Sequence, residues 1–181
     1  MAVAHGLKAH DCQSVILDPV MIATSGDPLL VDEAVSAMQE HLFQFVDLIT
    51  PNLHEAAHLT GLNVATTDAE MEIQAASLLK LGPKAVLIKG GHSAGDDARD
   101  FYSDDNESFW LSSKRFETNN THGTGCTLSS AIAAGLAKGM VMRDTLEMAK
   151  AYLADAIANA DTLEIGTGHG PVHHFHKLWK D

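Results

Sequence analysis

The residues with the clearest chemical potential lie between Thr121 and Thr127, where the chain reads THGTGCT. Small, apolar, helix-forming residues occupy positions 128–138, and Gly139 supplies a stop signal. This order predicts a glycine loop that runs directly into the start of a helix. Backbone N–H groups at a helix start have no intrahelical acceptor and lie at the positive end of the helix dipole. The segment therefore predicts a site for a phosphate group.

Cys126 falls within the first turn of this predicted helix. The dipole at that position favours a thiolate, which could act as a base on a hydroxyl held beside a bound phosphate. The alternative is a small buried cysteine that packs at a glycine-rich helix start. The common phosphate-loop patterns, G-x-x-x-x-G-K-[ST] and a strand followed by G-x-G-x-x-G, are absent. Spacing alone leaves both readings open.

Two charged residues follow predicted buried strands. Asp18 follows the apolar run at residues 14–17, and Lys89 follows the run at residues 84–88. Ligands bind at the carboxyl ends of parallel strands, so Asp18 could serve magnesium through water and Lys89 could reach a phosphate as a point charge. The alternatives are an aspartate that hydrogen-bonds its own turn and a lysine in solvent.

Asn52 and Glu55 have the spacing of a capping box, in which each side chain satisfies a backbone N–H of the other residue. Capping alone would explain both residues. A second reading gives Glu55 a role in ordering magnesium, and both roles together require Glu55 to point outward from the cap. Thr67 and Glu70 repeat the same spacing, and we interpret that pair as structural.

Composition limits the classes of function. The chain has 181 residues, 45% of them hydrophobic, which predicts one domain with a proper core. Twelve Lys and Arg residues against 24 Asp and Glu give a net charge of -12, without the basic face of a nucleic-acid binder. No apolar run reaches transmembrane length, so no membrane partner is expected. Cys12 and Cys126 form no disulfide framework, and a cytoplasmic setting fits best.

Hydrophobic periodicity predicts an α/β layered fold with a mostly parallel sheet flanked by helices. A polar stretch around residues 104–106 predicts a β-hairpin between two aromatic runs. The remaining elements are a helix ending near His10, strands at 14–17, 46–49 and 84–88, a turn at 23–28, and helices at 31–42, 52–61, 67–81 and 144–160.

Four histidines stand close together near the end of the chain: His169, His173, His174 and His176. Such a run can indicate a metal site, but no cysteine accompanies it and no fixed scaffold sets its spacing. We expect these residues to serve mostly in packing.

The loop around Cys126 resembles the anion-hole loop of ribokinase-like small-molecule kinases. Most sugar kinases of that group have Asp where this chain has Cys126, and Cys there resembles the branch that phosphorylates hydroxymethylpyrimidine phosphate. Four further motifs occur in the order of that family: LDPVM at 17–21, ITPNLHE at 49–55, IKGGH at 88–92 and GHGPVHHFH at 168–176.

The resemblance implies a ribokinase-like fold and ATP-dependent phosphorylation of hydroxymethylpyrimidine or its monophosphate, in thiamine diphosphate biosynthesis, with Mg²⁺. It implies that the loop residues present N–H groups to the transferred phosphoryl group, that Cys126 takes the proton of the acceptor, and that other residues bind phosphate or metal. The loop residues are Gly123, Thr124, Gly125 and Cys126, the further phosphate-binding residues are Lys89 and Thr121, and the metal residues are Asp18, Asn52 and Glu55. The alternatives are a pyridoxal-type kinase and a non-catalytic remnant that binds nucleotide.

The resemblance covers the C-terminal portion of that family, so residues 1–181 are expected to form the C-terminal part of one kinase domain. The N-terminal strands of the family's sheet, which carry much of the acceptor pocket, are missing from this sequence. We therefore expect the chain alone to be a poor kinase. A sheet without its leading strands has an exposed edge, which gives a weak expectation of a homodimer.

Overall fold

The computed structural model describes residues 2–10, 12–21, 29–91 and 97–179. The predicted turn at 23–28 and the final histidine of the IKGGH motif lie outside these ranges. The chain divides into two compact units. The first comprises Met1–Ala94 and Arg99–Trp110, and the second comprises Gly95–Ala98 and Leu111–Asp181. That the chain belongs to one kinase domain stays a prediction.

Five strands form one sheet in the order of the sequence. They are β1 (Ile16–Leu17), β2 (Leu48–Ile49), β3 (Ala85–Lys89), β4 (Asp97–Asp104) and β5 (Ser108–Lys114). The first three strands pair in parallel, and β4 pairs with β3 in the antiparallel sense. The predicted α/β class, the three parallel strands and the hairpin are confirmed.

The first two strands are shorter than the apolar runs that predicted them. Ser14 has a φ of 58°, in the left-handed region, so the extended conformation cannot begin at that residue. A 3₁₀ turn at Phe43–Phe45 directly precedes the second run and delays β2 until Leu48. Local backbone turns therefore trim both strands.

The helices of the first unit are α1 (Ala2–His10), α2 (Asp32–His41), α3 (Leu53–Thr60) and α4 (Asp68–Leu79). Both predicted capping boxes are formed, at the start of α3 and at the start of α4. The end of α3 is also set by sequence, because Gly61 adopts a φ of 69° that favours glycine. The first turns of α3 and α4 are thus fixed by side chains close to them in sequence.

The core of the first unit lies around β2 and β3, which are buried along almost their whole length. Continuous apolar runs of this kind are typical of parallel strands covered on both faces. The core residues with no exposed surface include Phe43, Ile49, Ala56, Ala75, Leu78, Val86 and Ile88. This packing fixes the carboxyl ends of the strands, where Asp18 and Lys89 follow or end the apolar runs.

The second unit is built on α5 (Thr124–Ala137) and α6 (Met142–Ala158). Gly135 permits their close approach, because a Cβ there would lie 2.7 Å from a methyl carbon of Thr145. Gly139 ends α5 as predicted: its N–H donates to Leu136 at 2.9 Å, and the N–H of Met140 donates to Gly135 at 3.2 Å. These two bonds form a Schellman motif.

Among the helices of the described ranges, none combines the length and the apolar character that a membrane span requires.

Gly90 provides a test of the packing beside β3. A Cβ at this position would lie 2.3 Å from the backbone oxygen of Arg99, whereas a Cβ at Gly91 would meet no atom of the described residues within 4 Å. We expect Gly90→Ala to lower the free energy of unfolding by about 1–3 kcal/mol, the usual cost of overpacking. Gly91→Ala is the matched control and should change it by no more than about 0.5 kcal/mol. Urea unfolding of both variants measures the difference, and equal effects would contradict the packing argument.

Candidate functional site

A partly buried ion pair lies at the carboxyl ends of β1 and β3. Nζ of Lys89 is 2.6 Å from Oδ1 of Asp18, and the two side chains are only 16% and 11% exposed. The hydroxyl of Thr50, which follows β2, donates to the same carboxylate oxygen at 3.2 Å. Three adjacent parallel strands therefore each bring one polar side chain to this point. Thr50 was not among the residues predicted from the sequence, although its position directly after a buried strand matches those of Asp18 and Lys89.

The backbone holds Lys89 against the start of α3. The N–H of Lys89 donates to the carbonyl of Pro51 at 2.8 Å, and Lys89 forms an isolated parallel bridge with Asn52. Because Asn52 caps α3, these backbone contacts hold the start of α3 next to Lys89. The structure brings together Asp18, Asn52, Glu55 and Lys89 in the first unit.

Glu55 turns back onto the cap of α3. Its Oε2 accepts the N–H of Asn52 at 2.7 Å, and Oδ1 of Asn52 accepts the N–H of Glu55 at 2.9 Å. The residue is 3% exposed. The requirement that Glu55 point outward to combine both roles is not met, because burial and the reciprocal bond hold the carboxylate inward. The metal role of Glu55 stays a prediction.

Burial raises the pKa of Glu55 above its ordinary value, since desolvation disfavours the charged form. The negative charge of Asp18 adds to the rise, while the N–H of Asn52 and the charge of Lys89 oppose it. Glu55 therefore interacts electrostatically with both Asp18 and Lys89. Added positive charge near these groups would favour the ionised form of Glu55.

The oxygen atoms of this cluster suit magnesium chemically. Within the described ranges, no group of three or more His, Cys, Asp or Glu residues is arranged to hold a metal. Mg²⁺ does not need such a cage, because it keeps several waters and binds through one or two carboxylates plus substrate phosphates. The carboxylates of Asp18 and Glu55 and the amide of Asn52 fit that requirement.

The second unit carries the predicted glycine loop. Gly123 is the N-cap of α5 with a φ of 84°, in the left-handed region. The N–H of Thr124 makes only a long bond of 3.4 Å to Thr121, and the N–H of Thr127 donates to Gly123 at 2.9 Å. In the part of the chain that the structure describes, the N–H groups of Gly125 and Cys126 have no acceptor.

Cys126 is exposed. The alternative of a small buried cysteine at the helix start is therefore wrong, because the first turn of α5 leaves this residue at the surface. An exposed thiol beside two amides that no described residue accepts from is the arrangement that phosphate binding and proton removal would require. The catalytic role itself stays a prediction.

The C-terminal histidines have separate partners. Nε2 of His174 lies 2.9 Å from the hydroxyl of Thr127, and Nδ1 of His169 lies 3.1 Å from the carbonyl of Asn119. His173 is buried, and its carbonyl lies 2.9 Å from Nδ1 of His176. The contact between His174, near the end of the chain, and Thr127 of the glycine loop was not predicted, because no local sequence pattern links residues 47 positions apart.

Similar proteins share this fold. The Staphylococcus aureus pyridoxal kinase, solved in complex with AMP-PCP and pyridoxal, superposes with a TM-score of 0.88 at 30% identity, over 98% of this chain and 63% of that one. The fold is thus that of the ribokinase-like kinases. Two relatives named hydroxymethylpyrimidine/phosphomethylpyrimidine kinase are more similar in sequence. The protein from Rhizobium meliloti is 52% identical over 99% of this chain, and the one from Escherichia coli is 48% identical over 98%.

A family model described as phosphomethylpyrimidine kinase matches residues 1–173. The chain belongs to this family. It spans 67% of the length of the Rhizobium and Escherichia relatives and less than two thirds of the Staphylococcus structure.

Two glutamates at equivalent capping positions offer a test of the electrostatics around Glu55. The folded state binds a proton to Glu55 more tightly than the unfolded state does, so this group costs stability as pH rises above the ordinary carboxyl pKa of about 4.3. Glu55→Gln lacks that titration. We expect the free energy of unfolding of Glu55→Gln, relative to the parent chain, to improve as pH rises from about 4.5 to 7.

Glu70 is the matched control with the opposite sign. Hydrogen bonds from the backbone and hydroxyl of Thr66 and from Thr67 lower the pKa of Glu70, so its contribution is present above the ordinary pKa and is lost as pH falls. Glu70→Gln should become relatively less stable over the same rise in pH. Urea unfolding at a series of pH values measures the free energy of unfolding of both variants. The same pH dependence in the two variants would show that burial does not raise the pKa of Glu55.

Proposed function

We propose that this chain takes part in ATP-dependent phosphorylation of hydroxymethylpyrimidine or its monophosphate, in thiamine diphosphate biosynthesis. The observation that carries the proposal is the start of α5, where the amides of Gly125 and Cys126 have no acceptor within the described ranges and lie beside an exposed thiol. The names of the similar proteins support a pyrimidine acceptor. The nucleotide complex of the Staphylococcus aureus kinase supports ATP as the phosphoryl donor.

The loop residues are assigned to the transferred phosphoryl group. Phosphoryl transfer depends mainly on positioning and charge neutralisation. The N–H groups of Gly125 and Cys126 donate to phosphoryl oxygens at the positive end of the α5 dipole. Thr121, Gly123 and Thr124 shape the turn that exposes these donors. The thiolate of Cys126 accepts the proton of the attacking acceptor oxygen, so that the oxygen becomes a better nucleophile.

The polar cluster of the first unit is assigned to phosphate charge and metal. Lys89 neutralises phosphate charge and exchanges its contact with Asp18 for one with the nucleotide. Asp18, Asn52 and Glu55 would hold Mg²⁺, chiefly through its waters, and the ion would neutralise charge on the phosphates. A positive ion near Glu55 would also counter the desolvation that disfavours its ionised form.

A pyridoxal-type kinase is the second candidate, favoured by the structural similarity to the Staphylococcus aureus enzyme. The higher identity to the pyrimidine kinases weighs against it. Comparing kcat/KM for hydroxymethylpyrimidine, its monophosphate and pyridoxal decides between the two. A preference for pyridoxal would overturn the proposed acceptor.

A third possibility is a nucleotide-binding protein without catalytic activity. Calorimetry with Mg-ATP, in the presence and absence of hydroxymethylpyrimidine phosphate, separates it from a kinase. Binding of both ligands supports the proposal, whereas binding of nucleotide but not of acceptor supports the non-catalytic protein. Sedimentation of the same samples measures whether the chain forms the expected homodimer.

Removing the thiol tests the proposed base. Cys126→Ala should reduce the rate of phosphoryl transfer about 10²- to 10⁴-fold, the usual contribution of a positioned base. The Kd for Mg-ATP should change little, because the amides of α5 remain. Cys12→Ala is the matched control, since Cys12 is also exposed, and it should change neither quantity. Full activity of Cys126→Ala would rule out the base, and equal loss of rate and affinity would indicate structural damage.

Removing the lysine tests the proposed phosphate contact. Lys89→Met should raise the Kd for Mg-ATP about 10- to 100-fold, as expected for a lost hydrogen bond to a charged group. Lys84→Met is the matched control, because Lys84 also pairs with an aspartate, Asp47, at 2.8 Å but is 73% exposed. Isothermal calorimetry measures both.

The lysine variant leaves Asp18 without the partner of this partly buried ion pair and can lose stability for that reason. The double variant Asp18→Asn, Lys89→Met removes both charges and should restore the fold without restoring affinity. Recovery of nucleotide affinity in the double variant would contradict the role of Lys89.

A further inference from the structure

A short segment of the tail, residues 169–174, lies against the loop that precedes α5, and we call this segment the tail strap. The N–H of His122 donates to the carbonyl of Gly170 at 3.1 Å, and the N–H of Val172 donates back to His122 at 3.4 Å. These bonds form an isolated parallel bridge between His122 and Pro171. The strap and the loop therefore meet backbone to backbone inside the second unit.

Asn120 shows how close this approach is. Its Oδ1 accepts the N–H of Gly170 at 2.9 Å, and its Nδ2 donates to Asp161 at 2.9 Å. A Cβ at Gly170 would lie only 2.2 Å from that same Oδ1. No larger residue fits at position 170 without moving Asn120, so the glycine of the strap serves the contact with the loop.

The end of the strap reaches the first turn of α5 through a side chain. The hydroxyl of Thr127 lies 2.7 Å from the carbonyl of Gly123 and 2.9 Å from Nε2 of His174. A carbonyl can only accept, so the single hydroxyl proton of Thr127 is donated to Gly123. The hydroxyl must then accept from His174, which requires a proton on Nε2 of the imidazole.

The contact between His174 and Thr127 affects the geometry of the glycine loop. Threonine in a helix divides between two side-chain rotamers, one of which bonds a carbonyl of the preceding turn. The donor on His174 favours that rotamer, because only a correctly placed hydroxyl accepts its proton. The carbonyl of Gly123 then accepts both the N–H of Thr127 at 2.9 Å and its hydroxyl. The peptide plane that begins the loop-to-helix turn is thereby fixed.

We propose that His174 is a positioning residue for the glycine loop and acts through the hydroxyl of Thr127 on the N-cap carbonyl of Gly123. It does not touch the phosphoryl group. The Nε2–H of His174 orients the hydroxyl of Thr127, which in turn orients the peptide of Gly123 at the start of the turn. The donor N–H groups of Gly125 and Cys126 lie in that same turn. This inference rests on the proposed function insofar as the loop binds phosphate.

The protonation pattern of the ring tests the contact without any ligand. In nitrogen-15 spectra of the histidine rings, neutral His174 should carry its proton on Nε2. Thr127→Val removes the accepting hydroxyl and keeps the shape of the side chain, so the His174 signals should move towards a mixture of both tautomers. Thr127→Ser should retain the parent pattern. Ring signals that are the same in Thr127→Val and in the parent chain would overturn the proposal.

Binding of inorganic phosphate tests the consequence for the loop. The amide signals of Gly125 and Cys126, followed during a phosphate titration, report occupancy of the proposed donors. His174→Ala should raise the Kd for phosphate about three- to tenfold, the range of one ordinary hydrogen bond. His174→Gln places an amide donor near Nε2 and should recover the parent Kd to within about twofold. The double variant Thr127→Val, His174→Ala should bind phosphate no more weakly than the single variant with the higher Kd, because both substitutions remove the same contact.

Phe175→Ala is the matched control. Phe175 is the next residue of the tail, and its ring stacks on Trp179 with centroids 5.2 Å apart. It should leave the Kd for phosphate unchanged. Equal losses in Phe175→Ala and His174→Ala would show that general tail packing is responsible and would overturn the proposal. So would a parent-like Kd in His174→Ala.

The two proposals fail in different ways. If the parent chain shows no phosphate-dependent shift at Gly125 and Cys126, the proposed function of the loop fails, while the ring spectra still decide whether His174 orders Thr127. If the parent chain binds phosphate and the ring spectra respond as expected but the Kd of His174→Ala is unchanged, only the positioning role fails.

Discussion

Among the described residues, the backbone N–H groups of Gly125 and Cys126 at the start of α5 have no acceptor, and the proposed phosphate site depends on these two donors. A helix cannot satisfy its own first amides, and most helices compensate with a polar N-cap side chain. Here the N-cap is Gly123, which has no side chain to offer. A Cβ at that position would have open space around it, so the positive φ, and not crowding, explains the glycine. The helix start consequently keeps its donors available to a ligand.

The start of α3 uses the opposite solution. Asn52 and Glu55 satisfy each other's backbone N–H groups, so this helix keeps no free donors at that pair. The carboxylate of Glu55 is buried beside the charges of Asp18 and Lys89. The same residues that complete the cap therefore form part of a charged cluster. The capping role of Glu55 is seen in the structure, whereas its role in binding metal is proposed, and burial distinguishes Glu55 from the exposed capping glutamate Glu70.

The cluster around Lys89 places a cation next to two carboxylates inside an acidic chain. The net charge is -12, yet Lys89 is held by a short contact to Asp18 inside the unit. An ion pair of this kind is costly to desolvate, so it is weak evidence for a purely stabilising role. Local concentration of a cation at the carboxyl ends of parallel strands is consistent with a phosphate ligand.

Much of the fold and of the site was predictable, because the relevant signals are local. Both capping boxes, the glycine stop after α5 and the charged residues after β1 and at the end of β3 follow from residues within a few positions of one another. The strand boundaries were less accurate. The positive φ of Ser14 and the 3₁₀ turn before β2 make the first two strands shorter than the apolar segments that predicted them.

The sequence by itself determined the elements, the glycine loop and the family resemblance, since each depends on residue types at short spacing. Only the tertiary structure decided that Glu55 is buried beside Asp18 and Lys89, that Thr50 joins Asp18, and that His174 meets Thr127. These contacts join residues 32 and 47 positions apart in two of the three cases. The physical reason is that burial and hydrogen-bond partners depend on which elements pack together, and no local pattern specifies that packing.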